Sequence, residues 1–219
     1  SSALTATSSA VTSDVVATKI IVDTAPTSSI SGISLGQPII KYVNAQNTLD
    51  TAINATDTIA ITVSTGSLAG SSTTSASSGV ATFTDLVFTG AADHTTSTFT
   101  FTDNAGGFVN VGTSTSVVDP NVVATKSVFT VQPSASISGV SLTNPTVTAE
   151  NATGATDTDY TTAVGLTLNT GAGSLSGTTS TPSVLGVAAF TTVKYTATAD
   201  QQSFSLLATS GGLTTATSS

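Results

Sequence analysis

The sequence predicts an all-β protein made of two copies of one β-sandwich domain in tandem. The first reason is an internal repeat, because four pairs of identical residues lie 107 positions apart: Ala17 and Ala124, Pro26 and Pro133, Pro38 and Pro145, and Phe83 and Phe190. The second reason is that β-branched residues dominate and no segment has a sustained apolar period of 3.6 residues. A period of about 100 residues is too long for a solenoid repeat and fits whole domains.

The domain boundaries follow from a repeated segment. Residues 119–126 repeat the pattern of residues 14–19, so they mark the seam between the two copies. Near the end of each copy the spacing falls to 105, where Phe99 matches Phe204. A change of this size is expected in a loop rather than in a strand. We therefore expect a leading strand or linker over residues 1–16, a first domain over 17–121 and a second domain over 122–219.

Short apolar or alternating runs predict the strands of the first copy. Pro26 limits the apolar run that follows Val15 to an edge or first strand. Residues 79–88 predict one strand with a kink or bulge. Residues 98–102 alternate strictly between Thr and Phe, so both Phe side chains lie on one face. Polar residues 44–57 have no clear period and predict a loop. The predicted strands are 20–22, 38–43, 58–64, 79–88, 98–102 and 107–118.

The second copy shows the same succession of strands. Its predicted strands are 123–131, 145–150, 160–169, 186–195, 203–209 and 213–218. About seven short strands per ~100 residues, each bounded by Gly, Pro or Asn, are typical of an immunoglobulin-like sandwich. The chain has no Cys, so the sandwich would lack the disulfide of antibody domains.

The second copy resembles the tandem bacterial immunoglobulin-like repeats of large surface proteins and adhesins. The resemblance rests on residues 124–133, on Gly139 and Pro145, and on residues 186–190 and 206–211. It covers nearly all of residues 124–219, and the first copy follows it more loosely over 17–118. Such repeats serve as spacers, stalks or lattice units, and the resemblance implies the same for this chain.

Composition restricts the possible partners and the location. The chain has 4 Lys, no Arg and 12 acidic residues, for a net charge of −8. Binding to nucleic acid or to an anionic membrane needs clusters of basic residues, so neither is expected. No apolar run approaches the ~20 residues that a membrane-spanning helix needs. A surface rich in Ser and Thr, without Cys or Met, predicts a secreted or cell-surface protein.

The leading segment resembles the last strand of a copy. Residues 6–9 and 216–219 are identical, 210 positions apart. Either the chain is a window from a longer array, or residues 1–16 leave their own domain and add a strand to a neighbouring subunit. Two Ser- and Thr-rich segments can also match through composition alone. The absence of Met indicates a processed chain or a segment of a longer one.

Candidate catalytic residues are few. His94, the one histidine, lies in a polar turn without a second base nearby, and we interpret it as a surface turn residue. Abundant Ser is not accompanied by the strand–elbow–helix pattern of serine hydrolases. No enzyme activity is therefore predicted.

Carboxylates in two corresponding loops are the candidate metal ligands. Oxygen-rich loops can hold Ca²⁺, which takes 6 to 8 oxygen ligands. A second candidate is the seam, where Asp14 or Asp119, with Asn121, could meet loop carboxylates of the adjoining copy. The alternative is that these acidic residues only solvate the surface. The candidate calcium ligands are Asp50, Asp57, Glu150, Asp157, Asp159 and Asp119.

Two glycosylation sequons begin at Asn54 and Asn151. Recognition of a glycan by the protein itself would need exposed aromatic side chains, and the chain has three Tyr and no Trp. We therefore expect an extracellular structural protein that self-associates head to tail in a filament, sheath or surface layer, with donation of its leading strand as the candidate contact. The alternative is a spacer or stalk segment of a large adhesin that binds glycan or protein.

Overall fold

The computed structural model describes residues 9–27, 30–104, 107–108, 112–118, 120–134 and 137–219. These residues form strands, turns and loops and no helix, and so contain no helical segment that could cross a membrane. The strands are β1 (Lys19–Thr24), β2 (Ile33–Ser34), β3 (Ile39–Val43), β4 (Thr58–Val63), β5 (Ser67–Ala69), β6 (Thr73–Ser77), β7 (Val80–Thr82), β8 (Val87–Thr89), β9 (Ser97–Asp103), β10 (Gly112–Val118), β11 (Lys126–Val131), β12 (Thr146–Glu150), β13 (Ala163–Thr170), β14 (Ser174–Ser176), β15 (Ser180–Pro182), β16 (Val187–Ala189), β17 (Lys194–Thr196), β18 (Ser205–Thr209) and β19 (Ala216–Thr217).

The strands pair within each half of the chain. In the first half, up to residue 121, the sheets have the orders β1-β3-β7-β6-β4-β9-β10 and β2-β8-β5. In the second half the orders are β11-β12-β16, β15-β13-β18-β19 and β14-β17. All these pairs are antiparallel. The protein is therefore all-β, with an arrangement compatible with a β-sandwich.

Each half encloses an apolar core of its own. In the first core Phe88 and Phe99 meet edge to face, with ring centroids 5.2 Å apart. The second core contains Phe190 and Leu206, both at most 1% exposed. Full burial of such a side chain stabilises the folded state by about 1.5–3 kcal/mol. Strict alternation along β9 places Phe99 and Phe101 together inside, as the sequence predicts.

The spacing of 107 residues recurs in the strand pairing. The ladder between β1 and β3 shifts register between Val22 and Thr24, and the ladder between β11 and β12 shifts between Phe129 and Val131. The shift therefore falls at the same place in both halves. It lets the first strand of each half bend around its core.

The pairing of the last strands corrects the spacing of 105 expected there. Strands β4 and β13 correspond with a spacing of 105, because their first residues lie opposite Ser75 and Pro182, which are 107 apart. Val63, opposite Phe99, is therefore the counterpart of Leu168, which lies opposite Leu206. Phe99 thus corresponds to Leu206, 107 positions further on, and not to Phe204. Sequence comparison matched the two aromatic residues, but the hydrogen-bond ladder sets the true correspondence.

The predicted single strand over residues 79–88 is two strands. β7 pairs with β3 and β6, whereas β8 pairs with β2 and β5 in another sheet. Phe83 and Leu86, between them, are both buried, so the chain crosses the edge of the core here. Residues 186–195 divide in the same way into β16 and β17. The short strands β5, β6, β14 and β15 consist largely of Ser, Thr and Ala, so no apolar alternation revealed them.

Part of the leading segment lies outside the described residues. Residues 1–8 belong to that part, so the predicted leading strand is described only over residues 9–16, which form no strand. Val11 is 91% exposed and Val16 is 66% exposed. The segment becomes anchored at Ala17, which is buried.

Candidate functional site

The most elaborate polar site described in the chain is the seam, which we define as residues 120–122, called the linker from here on, with the loops that contact them. The N–H of Ser31 donates to the carbonyl of Asn121 at 3.0 Å, and the N–H of His94 donates to the carbonyl of Pro120 at 3.1 Å. The N–H of Val122 donates to Oδ1 of Asp93 at 2.6 Å. Three consecutive linker residues are therefore held by groups of the first half.

Asp93 also binds the second half directly. Its Oδ2 accepts hydrogen bonds from the N–H of Thr158 at 2.8 Å and from Oγ1 of Thr158 at 2.6 Å. The Asp93 side chain is 0% exposed. Burial by itself would raise the pKa of Asp93, but the hydrogen bonds from Thr158 and Val122 and the nearby His94 outweigh it and lower the pKa. One carboxylate thus joins the linker and a loop of the second half to the first half.

A tight turn and a glycine make room for this contact. His94 has a left-handed backbone with φ of 52°, which reverses the chain immediately after Asp93. Gly90 lies against the linker, since a Cβ at this position would be 2.6 Å from Cγ of Pro120. The linker therefore packs on bare backbone, and any side chain at residue 90 would displace it.

Two further carboxylates lie beside Asp93. One oxygen from each of Asp93, Asp157 and Asp159 falls within a group whose members are all within 4.8 Å of one another. Asp157 is 5% exposed; its Oδ2 accepts the N–H of Ala124 at 2.7 Å, but its buried Oδ1 has no hydrogen-bond partner among the described residues. Burial, and then the adjacent Asp159, raise the pKa of Asp157.

The first half shows which partner this oxygen lacks. The counterpart of Asp157 is Asp50, whose Oδ2 accepts the N–H of Ala17 at 2.8 Å and whose Oδ1 accepts the N–H of Ala52 at 2.9 Å. Asp159 occupies the position that corresponds to Ala52. In the second half the N–H of Asp159 makes no corresponding bond to Asp157 among the described residues, and the Asp159 carboxylate lies beside Asp157.

Two kinds of positive charge could compensate the three carboxylates. Nε2 of His94 is 3.8 Å from Oδ1 of Asp93 and 3.7 Å from Oδ2 of Asp159, so a protonated imidazole would be attracted to both. The three donors are carboxylate oxygens, and one of them, the buried Oδ1 of Asp157, has no hydrogen-bond partner among the described residues. Oxygen donors of this kind suit Ca²⁺.

The predicted ligands fall into different environments. Asp157 and Asp159 belong to the carboxylate group, with Asp93, which sequence analysis did not identify as a ligand. Within the described part of the chain, Asp50, Asp57 and Glu150 belong to no group of three potential ligands. Asp50 closes its own loop, Asp57 lies 3.3 Å from Oγ1 of Thr56, and Glu150 lies 3.9 Å from Nζ of Lys126. Asp119 lies outside the described residues.

A sequence signal for Asp93 exists but is weak. Residues 91–94 correspond to residues 198–201, and the Asp is shared as Asp93 and Asp200. In a chain so poor in charged residues, an acidic residue repeated at this spacing is a distinctive feature. His94, interpreted from the sequence as a surface turn residue, is indeed in a turn but adjoins the carboxylate group.

The two sequons differ in their surroundings. Asn54 is exposed, whereas Asn151 is 8% exposed. Oδ1 of Asn151 accepts hydrogen bonds from Thr153 N–H, Thr153 Oγ1 and Ala155 N–H, and so organises its turn. The counterpart of Asn151 is Asn44, whose Oδ1 has the same role. A glycan is more easily accommodated at Asn54.

Comparison with known proteins adds no identification. No protein-family model matches the chain, and no curated protein matches it.

Proposed function

We propose that the chain is an extracellular structural protein built from two tandem immunoglobulin-like domains. In this proposal the first domain spans residues 17–121 and the second spans 122–219, and the protein is a subunit of a surface filament, sheath or layer that assembles head to tail. The observation that carries the proposal is Asp93, which accepts three hydrogen bonds across the seam while its side chain is fully covered.

A fixed joint is what a load-bearing element requires. Flexible linkers between domains leave relative motion as the default expectation. Here the linker carbonyls are bound by Ser31 and His94, and the linker N–H is bound by Asp93. Hydrogen bonds to a charged group contribute about 1.5–3 kcal/mol each, so the joint resists bending. The antiparallel ladders on either side transmit the load between joints.

Calcium is the candidate that would complete this joint. A divalent cation beside Asp93, Asp157 and Asp159 would partner the orphan oxygen of Asp157 and neutralise the repulsion between its carboxylate and that of Asp159. Thermal unfolding with calcium and with a chelator tests this directly. Asp159→Asn should abolish any stabilisation by calcium without lowering the stability measured in chelator. Equal melting temperatures of the wild type with calcium and with chelator would remove calcium from the proposal.

The leading strand is the second assembly element. Sixteen extended residues reach about 50 Å, enough to run along a neighbouring sandwich. A chain that lacks residues 1–16 should therefore fold but fail to polymerise, and unchanged assembly would reject strand donation.

Electron microscopy combined with size-exclusion light scattering tests the structural role. Filaments or head-to-tail oligomers would support the proposal. A strict monomer at every concentration would instead support the alternative, a spacer segment of an adhesin. Small-angle scattering of the dilute protein tests the rigid joint separately from assembly, because a rigid joint keeps one interdomain distance whether or not the protein assembles.

A further inference from the structure

The residues of the first half that hold the linker recur in the second half. The counterparts, 107 positions apart, are Ile30 and Ile137, Ser31 and Ser138, Gly90 and Ala197, Asp93 and Asp200, and His94 and Gln201. We call the second set, Ile137, Ser138, Ala197, Asp200 and Gln201, the docking face. All five of its residues line one surface pocket of about 970 Å³.

The docking face has the same local conformation as the surface that holds the linker. His94 and Gln201 both have a left-handed backbone, with φ of 52° and 57°. The N–H of Gly90 donates to Oγ of Ser31 at 3.0 Å, and residues 197 and 138 make the corresponding bond at 2.9 Å. The same scaffold is therefore built twice.

The binding groups of the docking face are unused. The N–H groups of Ser138 and Gln201 and the carboxylate of Asp200 have no hydrogen-bond partner in the part of the chain that the structure describes. Asp200 is exposed, unlike the fully covered Asp93, and Ile137 is 78% exposed whereas Ile30 is 38% exposed. Two N–H donors, one carboxylate acceptor and one apolar side chain are thus available to bind a segment with the same backbone conformation as the linker.

The chain carries a segment with that form. Ser13, Asp14 and Val15 precede Pro120, Asn121 and Val122 by 107 positions, and Thr51 precedes Thr158 by the same spacing. The next hydrogen bond along the chain is also shared. The N–H of Ala17 donates to the carboxylate of Asp50, and the N–H of Ala124 donates to the carboxylate of Asp157 in the same way. Residues 13–15 and Thr51 have no hydrogen-bond partner within the described residues. We call them the linker-like segment.

The two sets also fit each other sterically. At the seam, Gly90 leaves room for the ring of Pro120. The docking face has Ala197 in place of this glycine, and its methyl group would collide with a proline ring. The linker-like segment has Ser13 in place of the proline, and its single Oγ can rotate away from the methyl group. The larger residue on one side is thus matched by a smaller residue on the other.

We propose that the linker-like segment of one molecule binds the docking face of a second copy, which reproduces the seam between molecules. The N–H of Val15 and the N–H and Oγ1 of Thr51 donate to Asp200 of the second copy. The N–H groups of Ser138 and Gln201 donate to the carbonyls of Asp14 and Ser13. The inference rests on the proposed head-to-tail function and assigns the residues that perform it.

Self-association measured by light scattering and sedimentation at increasing protein concentration tests the proposal. Asp200→Asn and Ile137→Asp change exposed side chains, so both variants should fold, and each should weaken association about ten-fold or more. Asp23→Asn removes an exposed charge, paired with Lys41, away from the docking face and is the control for a loss of one negative charge. Asp14→Asn restores the residue type found at the seam and removes a negative charge near Asp200, so it should tighten association by about ten-fold.

Mixing two defective variants tests the polarity of the contact. Val15→Pro removes the N–H donor of the linker-like segment but retains the docking face, whereas Ile137→Asp does the reverse. The mixture should form dimers that neither variant forms alone. If Asp200→Asn and Ile137→Asp assemble as the wild type does, the docking face is not the contact, although head-to-tail assembly itself would still be supported. The absence of any association at the solubility limit would overturn both.

Discussion

Substitution of Asp93 by Asn should open the seam without unfolding either half. The carboxylate accepts one hydrogen bond at Oδ1 from Val122 and two at Oδ2 from Thr158. An amide offers one oxygen, so whichever partner keeps it, the other partner faces an NH₂ group and is left unsatisfied. The unsatisfied donor costs about 1–3 kcal/mol, and the remaining bonds fall from charged to neutral strength, a loss of about 1 kcal/mol each. The expected total is about 3–5 kcal/mol. The lower end of this range applies if the amide oxygen stays with the buried Val122, because Thr158 is exposed and water can accept its donors.

Amide hydrogen exchange at Val122 and Thr158 is the direct assay. A loss of this size should accelerate exchange at both amides by about a hundred-fold to a few thousand-fold, since 1.4 kcal/mol corresponds to about ten-fold. Amides in the core strands β9 and β18 should remain protected. Small-angle scattering should show a wider range of distances between the two halves.

Asp200→Asn is the matched control. It makes the same chemical change at the corresponding position of the second half, where the carboxylate has no partner in the described part of the dilute molecule. Exchange at Val122 should therefore be unaffected. Unchanged exchange in Asp93→Asn, or equal acceleration in both variants, would refute the role assigned to the Asp93 carboxylate.

Three further results are expected. In chelator at neutral pH, Asp50→Asn should lower the free energy of unfolding by about 1–3 kcal/mol, because both carboxylate oxygens accept N–H groups. Asp157→Asn should leave that free energy unchanged or raise it, because one of its oxygens has no partner among the described residues. Chemical denaturation that shows both variants destabilised would contradict this. Gly90→Ala should expose the linker to proteolysis, because the new Cβ meets Pro120, and an unchanged cleavage rate would show that the linker can shift at little cost. The pKa of Asp93 is lowered on folding, so its contribution to stability is present above its pKa in the unfolded chain and is lost as pH falls through its pKa in the folded protein. The pKa of Asp157 is raised, so its contribution to stability is present at low pH and is lost as pH rises through its pKa in the folded protein. Seam amides that remain protected from exchange when Asp93 is protonated would count against the role of its carboxylate.

The repeat and the all-β class were accessible from the sequence for physical reasons. Alternation in residues 98–102 reports directly which face of a strand is buried, because successive side chains point in opposite directions. The pairs Pro26 and Pro133, and Phe83 and Phe190, kept one spacing because turns and core positions restrict the residue type. The strand boundaries at 79–88 were less accessible, because Phe83 and Leu86 are apolar whether the chain continues in one sheet or crosses to another.

The composition of the candidate site depended on tertiary structure. The sequence placed Asp157 and Asp159 in an oxygen-rich loop with Asn151. A local pattern could not predict which distant residues would contact that loop. Asp93 is more than sixty residues away, and only folding of the linker against Gly90 brings it to Thr158. A hydrogen bond across a seam leaves no periodicity in the chain, because it depends on the relative placement of two separately folded cores. The sequence by itself determined that one unit is repeated and which faces of its strands are buried, whereas the tertiary structure decided which carboxylates meet, since that meeting requires contacts between the halves.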